Sequence, residues 1–202
     1  MADPHARSPR RVRRPPSRSG PVPSAAAGLT ARGAALRPPL DALAREYAHG
    51  GVIDDPVECV RPYPDPADRE IAGFIAAGLA FGRVAGIMAS VRAALAPMGP
   101  SPAAFVRGFD AARDSGPFLP FVHRWVRGRD LAALLVILRH MLDTAGSVER
   151  FFLDGDDPSA PDIGAGLDAF CARARAVDVR RVYGPGAPRP GVHAFFPRPS
   201  GG

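Results

Sequence analysis

The residues best equipped for chemistry in this sequence lie together at His123-Arg124-Trp125, with Arg127 and Arg129 just beyond. Guanidinium groups bind phosphate and an indole face accepts a base, so His123, Arg124, Trp125 and Arg127 are the candidate nucleic-acid-binding set, of the kind a single strand would meet. A plainer reading stands beside it. The same stretch could be a helix packed by Phe121 and Trp125, with surface arginines paired to acids such as Asp130.

Nothing else in the chain assembles a reaction. The five histidines (5, 49, 123, 140 and 193) include no His-Glu-x-x-His and no pair at i, i+4. With Cys59 and Cys171 they offer no close-spaced ligands, so no metal is expected. His140 sits near the C-terminal end of a leucine-rich helix, where the dipole favours a cation. The acidic run Asp154-Gly-Asp-Asp157 lacks the spaced ligands and terminal glutamate of a calcium loop and reads as a solvated turn. Gly184-Pro-Gly186 follows no strand and opens no helix, which excludes a dinucleotide fingerprint. No catalytic residue and no cofactor is assigned. The two cysteines are far apart, each within a helical pattern, and read as reduced, buried thiols of a cytoplasmic protein.

The elements that must position this cluster begin at residue 65. Asp65 is a natural N-cap, Pro66 at the first helical position loses no needed donor, and Asp68 faces the positive end of the dipole. Ile71, Ile75, Gly78, Leu79 and Gly82 share one helical face, while Phe74 and Phe81 occupy another. A helix apolar nearly all round is a central one. Asp65, Asp68, Glu70, Ile71, Phe74, Ile75, Leu79, Phe81, Gly82 and Arg83 are therefore read as the structural hub.

Further helices follow the same periodicity. One runs from Val84 to Ala96 with Val84, Ile87, Met88, Val91 and Leu95 expected on its buried face. A short one after Ser101-Pro102 carries Phe105 and Phe109. Residues 110–120 read as a loop. Asp130 is expected to cap a helix through Ala145, striped by Leu131, Leu134, Leu135, Leu138, Met141 and Leu142. One or two turns over 147–153 precede a last helix bearing Ile163, Leu167, Phe170, Ala174 and Val177. Upstream, Leu40, Leu43, Ala44 and Tyr47 predict a short amphipathic helix closed by Gly50-Gly51. Asp55-Pro-Val-Glu58 reads as a capping box. The fold class is all-α, with a disordered Arg/Pro-rich tail over 1–35, a helical domain over 36–182 and a Gly/Pro-rich loop or truncated end over 183–202.

Charge separates the same parts. Residues 1–40 hold eight arginines against one acid, Asp3, so the excess of +6 in the whole chain resides in the tail. The body is near neutral, offers no bulk footprint for nucleic acid, and is expected to bind duplex DNA weakly or not at all. The tail is either a basic arm for nucleic acid or an acidic partner, or an extension without function. No apolar run reaches the roughly 20 residues that span a bilayer, so no membrane partner is expected.

The blocks YPDPADREIAGFIAAGLAFGRV, GPSPAAFV, FVHRWVRGRDLAALL and GSVERFFLDG occur in this order and spacing in one bacterial family. Over residues 36–202 the chain resembles the N-terminal part of the domain-of-unknown-function 2400 family, itself distantly similar to helix-hairpin-helix DNA glycosylases. The resemblance implies a multi-helix orthogonal bundle like the first part of that glycosylase fold. It also implies a continuation with a Ser-Ala-Cys-Lys-Arg stretch and a Leu-Asp-Thr-His-like motif where those enzymes keep their catalytic aspartate. Neither occurs here, nor does any lysine, which removes a lysine nucleophile. Two expectations result. One is a C-terminally truncated member of a family that in full length contacts nucleic acid, inactive alone and liable to expose apolar surface. The other is a non-catalytic helical interaction module.

Overall fold

The computed structural model describes residues 25–48, 55–184 and 191–201. The chain divides into two compact units, Met1–Val52 and Ile53–Gly202. In the first unit the described element is α1, Ala25–Ala48. It begins well before Leu36, where the sequence pattern places the start of the folded part. Ala34 and Ala35 are the strongest helix formers, and the helix runs through Pro38 and Pro39 despite the donors they lack. Leu36, Leu40 and Leu43 are exposed along it. The expected tail before Ala25 and the Gly50-Gly51 cap lie outside the described residues.

The second unit is all-α apart from one small hairpin. A 3-10 turn over Pro56–Cys59 leads to α2 (Pro66–Gly78), α3 (Val84–Leu95), α4 (Pro102–Gly108) and α5 (Ala111–Asp114). Strands β1 (Val122–His123) and β2 (Val126–Arg127) pair antiparallel and feed α6 (Gly128–Ala145). Then come α7 (Val148–Leu153), α8 (Gly164–Ala176) and α9 (Arg180–Tyr183), with 3-10 turns over Gly191–Phe195 and Pro199–Gly201.

The most completely buried of these is α6. Its residues Leu131 to Leu135, Ile137, Leu138, Met141 and Leu142 are all buried. Each such leucine contributes about 1.5–3 kcal/mol against exposure. The helix meets α4, α5, α7, α9, β2 and the Gly191–Phe195 turn. The expected hub, α2, holds a different place. Ile71, Ala72, Ile75, Ala76 and Leu79 line its buried face, but the helix stops at Gly78. Phe81, Gly82 and Arg83 lie beyond its end and are exposed. An apolar composition all round identified a packed helix without saying which helix is innermost.

What α2 contributes is polar. Asp65 accepts from the amide of Ala67 at 2.9 Å and caps its own helix. Buried Asp68 accepts from Ser101 Oγ at 2.9 Å and from the Ala103 amide at 2.8 Å, which caps α4. Glu70 accepts from the amides of Val148 at 3.0 Å and Glu149 at 2.7 Å, which caps α7. The first turn of a helix leaves such amides without partners, and a carboxylate there also meets the positive dipole end. One helix thus satisfies the starts of two others.

The described part of the Gly/Pro-rich end, residues 191–201, packs against the core. Val192 and Phe196 are fully buried. Phe196 stacks with Phe74 of α2 at 5.6 Å and with Phe170 of α8 at 6.0 Å between ring centroids. Asp130 and Tyr183 hold the segment from its other side. The Tyr183 hydroxyl donates to Asp130 Oδ1 at 2.6 Å and accepts from the Val192 amide at 2.9 Å. Asp130 is not the cap expected. It lies inside the first turn of α6 and reaches back to the Arg127 amide at 2.8 Å.

Candidate nucleic-acid interface

The stretch 121–130 contains no helix before Gly128. Val122 pairs with Arg127 and His123 with Val126, so Arg124 and Trp125 form the two-residue turn of a hairpin. Such turns demand left-handed backbone, which Asn or Gly ordinarily supplies. Here Arg124 supplies it at φ 54°, the one non-glycine residue with positive φ among the described residues. A strained conformation of this kind persists where its surroundings over-determine it. The Arg127 side chain provides part of that support by donating from Nη1 to the Arg124 carbonyl at 2.7 Å.

The hairpin tip faces the α2–α3 junction. Trp125 is 56% exposed and packs on the equally exposed Phe81, with ring centroids 5.0 Å apart. The Arg124 guanidinium lies across the backbone of Gly82, its Nε 3.4 Å from the Phe81 carbonyl oxygen. Gly82 has φ 125°, and a Cβ built there would meet Arg124 Nη2 at 2.6 Å. Glycine at 82 therefore serves both the backbone angle and the close approach. His123 is 9% exposed, and its Nδ1 shares a 2.7 Å hydrogen bond with Ser90 Oγ of α3. Its Nε2 is buried with no hydrogen-bond partner among the described residues.

Arginines on the body divide into paired and unpaired ones, and Arg69, Arg92, Arg107, Arg150, Arg173, Arg175 and Arg181 share the unpaired state with those at the hairpin among the described residues. Arg61, Arg113, Arg139, Arg180 and Arg198 each pair with a carboxylate. Arg83, Arg124, Arg127 and Arg129 have no carboxylate within ion-pair distance among the described residues. Asp130, the acid expected to neutralise them, is occupied by Tyr183 and a backbone amide. The structure brings together His123, Arg124, Trp125 and Arg127 from the candidate set, joined by Phe81, Gly82 and Arg83 from the expected hub. Ser90 is the residue that sequence reading missed, since a lone serine within an apolar helical stripe carries no signal.

The Ser90–His123 pair has no acid behind its imidazole among the described residues, so it lacks the third member that orients a catalytic histidine. Among the described residues no group of histidine, cysteine and acidic side chains could hold a metal. Both cysteines are free and buried, and burial pushes each thiol above its ordinary pKa. That is the setting of an inert thiol.

The chain belongs to the family described as protein of unknown function (DUF2400), whose family model matches residues 55–199. No curated protein and no solved structure matches it. Among the described residues no helix is long and apolar enough to cross a membrane.

Proposed function

We propose that this member of the DUF2400 family contacts single-stranded nucleic acid through the hairpin tip, as a binding module without a reaction of its own. The observation that carries the reading is Trp125, exposed and packed on Phe81 at a strained turn that Arg124 forms with it and Arg127 braces. An aromatic platform gives sequence-tolerant stacking, worth about 1–3 kcal/mol per base, and adjacent guanidinium groups hold the backbone. The near-neutral body limits purely electrostatic attraction, so stacking and local contacts supply the binding. The reading includes the kinship with helix-hairpin-helix glycosylases that the sequence blocks suggest, which would share this class of partner. Two buried free thiols support action in the reducing cytoplasm.

Trp125 is the sole tryptophan of the chain, so its fluorescence reports the site directly. Titration of the full chain with oligo-dT should quench that emission, and Trp125→Ala should weaken binding about 5- to 150-fold by anisotropy of a labelled strand. The basic tail is present in both proteins and cancels in the comparison. Equal affinity of the two proteins, or no quenching, would refute the proposal.

A further inference from the structure

Between the hairpin and the start of α3 lies a cleft of about 330 Å³, lined in part by Arg83, Gly86, Ser90, His123 and Arg124. We infer that it seats one phosphate group of the strand, an assignment that rests on the nucleic-acid reading above and gives that reading a defined contact.

The positive end of α3 is left bare. Its N-cap residue is Arg83, which makes no side-chain cap, and the first turn holds no acid. The amides of Val84, Ala85 and Gly86 have no acceptor among the described residues. Helices ordinarily place carboxylates or hydroxyl caps here and keep cations at the opposite end. This one instead gathers two arginines at its positive pole, Arg83 by sequence and Arg124 by the fold across Gly82. Such an arrangement repels itself until an anion arrives, and a phosphate at a helix N-terminus receives amides and dipole together.

A second observation points to the same ligand. His123 lines the cleft, is nine-tenths buried, and carries a ring nitrogen that no described group satisfies. Its other nitrogen is held by Ser90 Oγ, which also lines the cleft and fixes the ring there. A tetrahedral oxyanion supplies acceptors to the amides and the guanidinium groups at once. The exposed Trp125–Phe81 pair borders the cleft through Phe81, so a nucleotide with its phosphate seated has a ring surface beside it for the base.

The experiment uses the full chain, isotopically labelled, with inorganic phosphate and oligo-dT as probes. Phosphate should shift the Gly86 amide resonance more than chloride at equal ionic strength, and Arg83→Gln should abolish the difference. The same exposed substitution should weaken oligo-dT roughly tenfold, as loss of one charge-assisted hydrogen bond does, and flatten the salt slope by about 0.7. Ser90→Ala should weaken it less and leave the slope unchanged. Undiminished oligo-dT binding by Arg83→Gln, with no shift at Gly86, would overturn the phosphate seat and leave the nucleic-acid reading intact. A phosphate-specific shift at Gly86 without any quenching by oligo-dT would support the seat and refute the nucleic-acid reading.

Discussion

Replacing Tyr183 by phenylalanine removes one oxygen and nothing else, and that oxygen joins the C-terminal segment to α6. The hydroxyl donates to Asp130 Oδ1 at 2.6 Å and accepts from the Val192 amide at 2.9 Å. Val192 is fully buried, so its amide loses its partner without gaining water, at a cost of about 1–3 kcal/mol. Asp130, buried and without a cation partner among the described residues, loses one of two donors, and a hydrogen bond to a charged group contributes about 1.5–3 kcal/mol. The two losses share a group and do not add in full, so the expected cost is about 2–4 kcal/mol. For a chain of this size that lowers Tm by roughly 4–16 °C.

A pH series separates the latch from generic damage. Burial, followed by the hydrogen bond to Asp130, holds the Tyr183 phenol well above its ordinary value. A pKa raised in the folded state means stability is fully present below the ordinary phenol value of about 10 and is lost as pH rises beyond it, while the unfolded chain ionises and the folded one does not. The ring is partly exposed, so screening limits this to about 1 kcal/mol or less per pH unit. The gap between wild type and Tyr183→Phe should therefore narrow from pH 9 to 11 in urea unfolding followed by circular dichroism. A loss under about 0.5 kcal/mol at pH 7, or a gap constant with pH, would show that the network does not hold the segment.

Two further outcomes follow from single contacts. Glu70→Ala strips the acceptor from the Val148 and Glu149 amides and should cost about 1–2 kcal/mol in urea unfolding, with far-UV helicity otherwise retained. Gly82→Ala forces a methyl toward the Arg124 guanidinium at φ 125°, so it should destabilise by about 1–2 kcal/mol and also weaken oligo-dT binding, as measured by anisotropy.

The helices were legible where residue chemistry marks both ends or one face. Asp65-Pro66 starts α2, Ser101-Pro102 starts α4, and Gly146 closes α6 with a left-handed cap, each as its residue type dictates. The hairpin was not legible. Two-residue strands are too short to show a period, and an Arg-Trp turn carries none of the signal of Asn-Gly. Its function-bearing cluster was found by composition, but its surroundings were not, because Phe81 and Arg83 continue the sequence of an apolar helix that in fact ends at Gly78. The last segment was hidden for the opposite reason. Its glycines and prolines exclude regular structure but say nothing against Val192 and Phe196 anchoring it in the core.

The carboxylates of Asp68 and Glu70 tie the behaviour of two helices to a third. They reach α4 and α7 from less than a full turn apart on α2. A fluctuation that frays the beginning of α2 withdraws both acceptors together, so the amides of Ala103, Val148 and Glu149 open with it as one cooperative unit. These segments, widely separated along the chain, then form a single foldon whose hinge is two acidic side chains rather than a stretch of backbone.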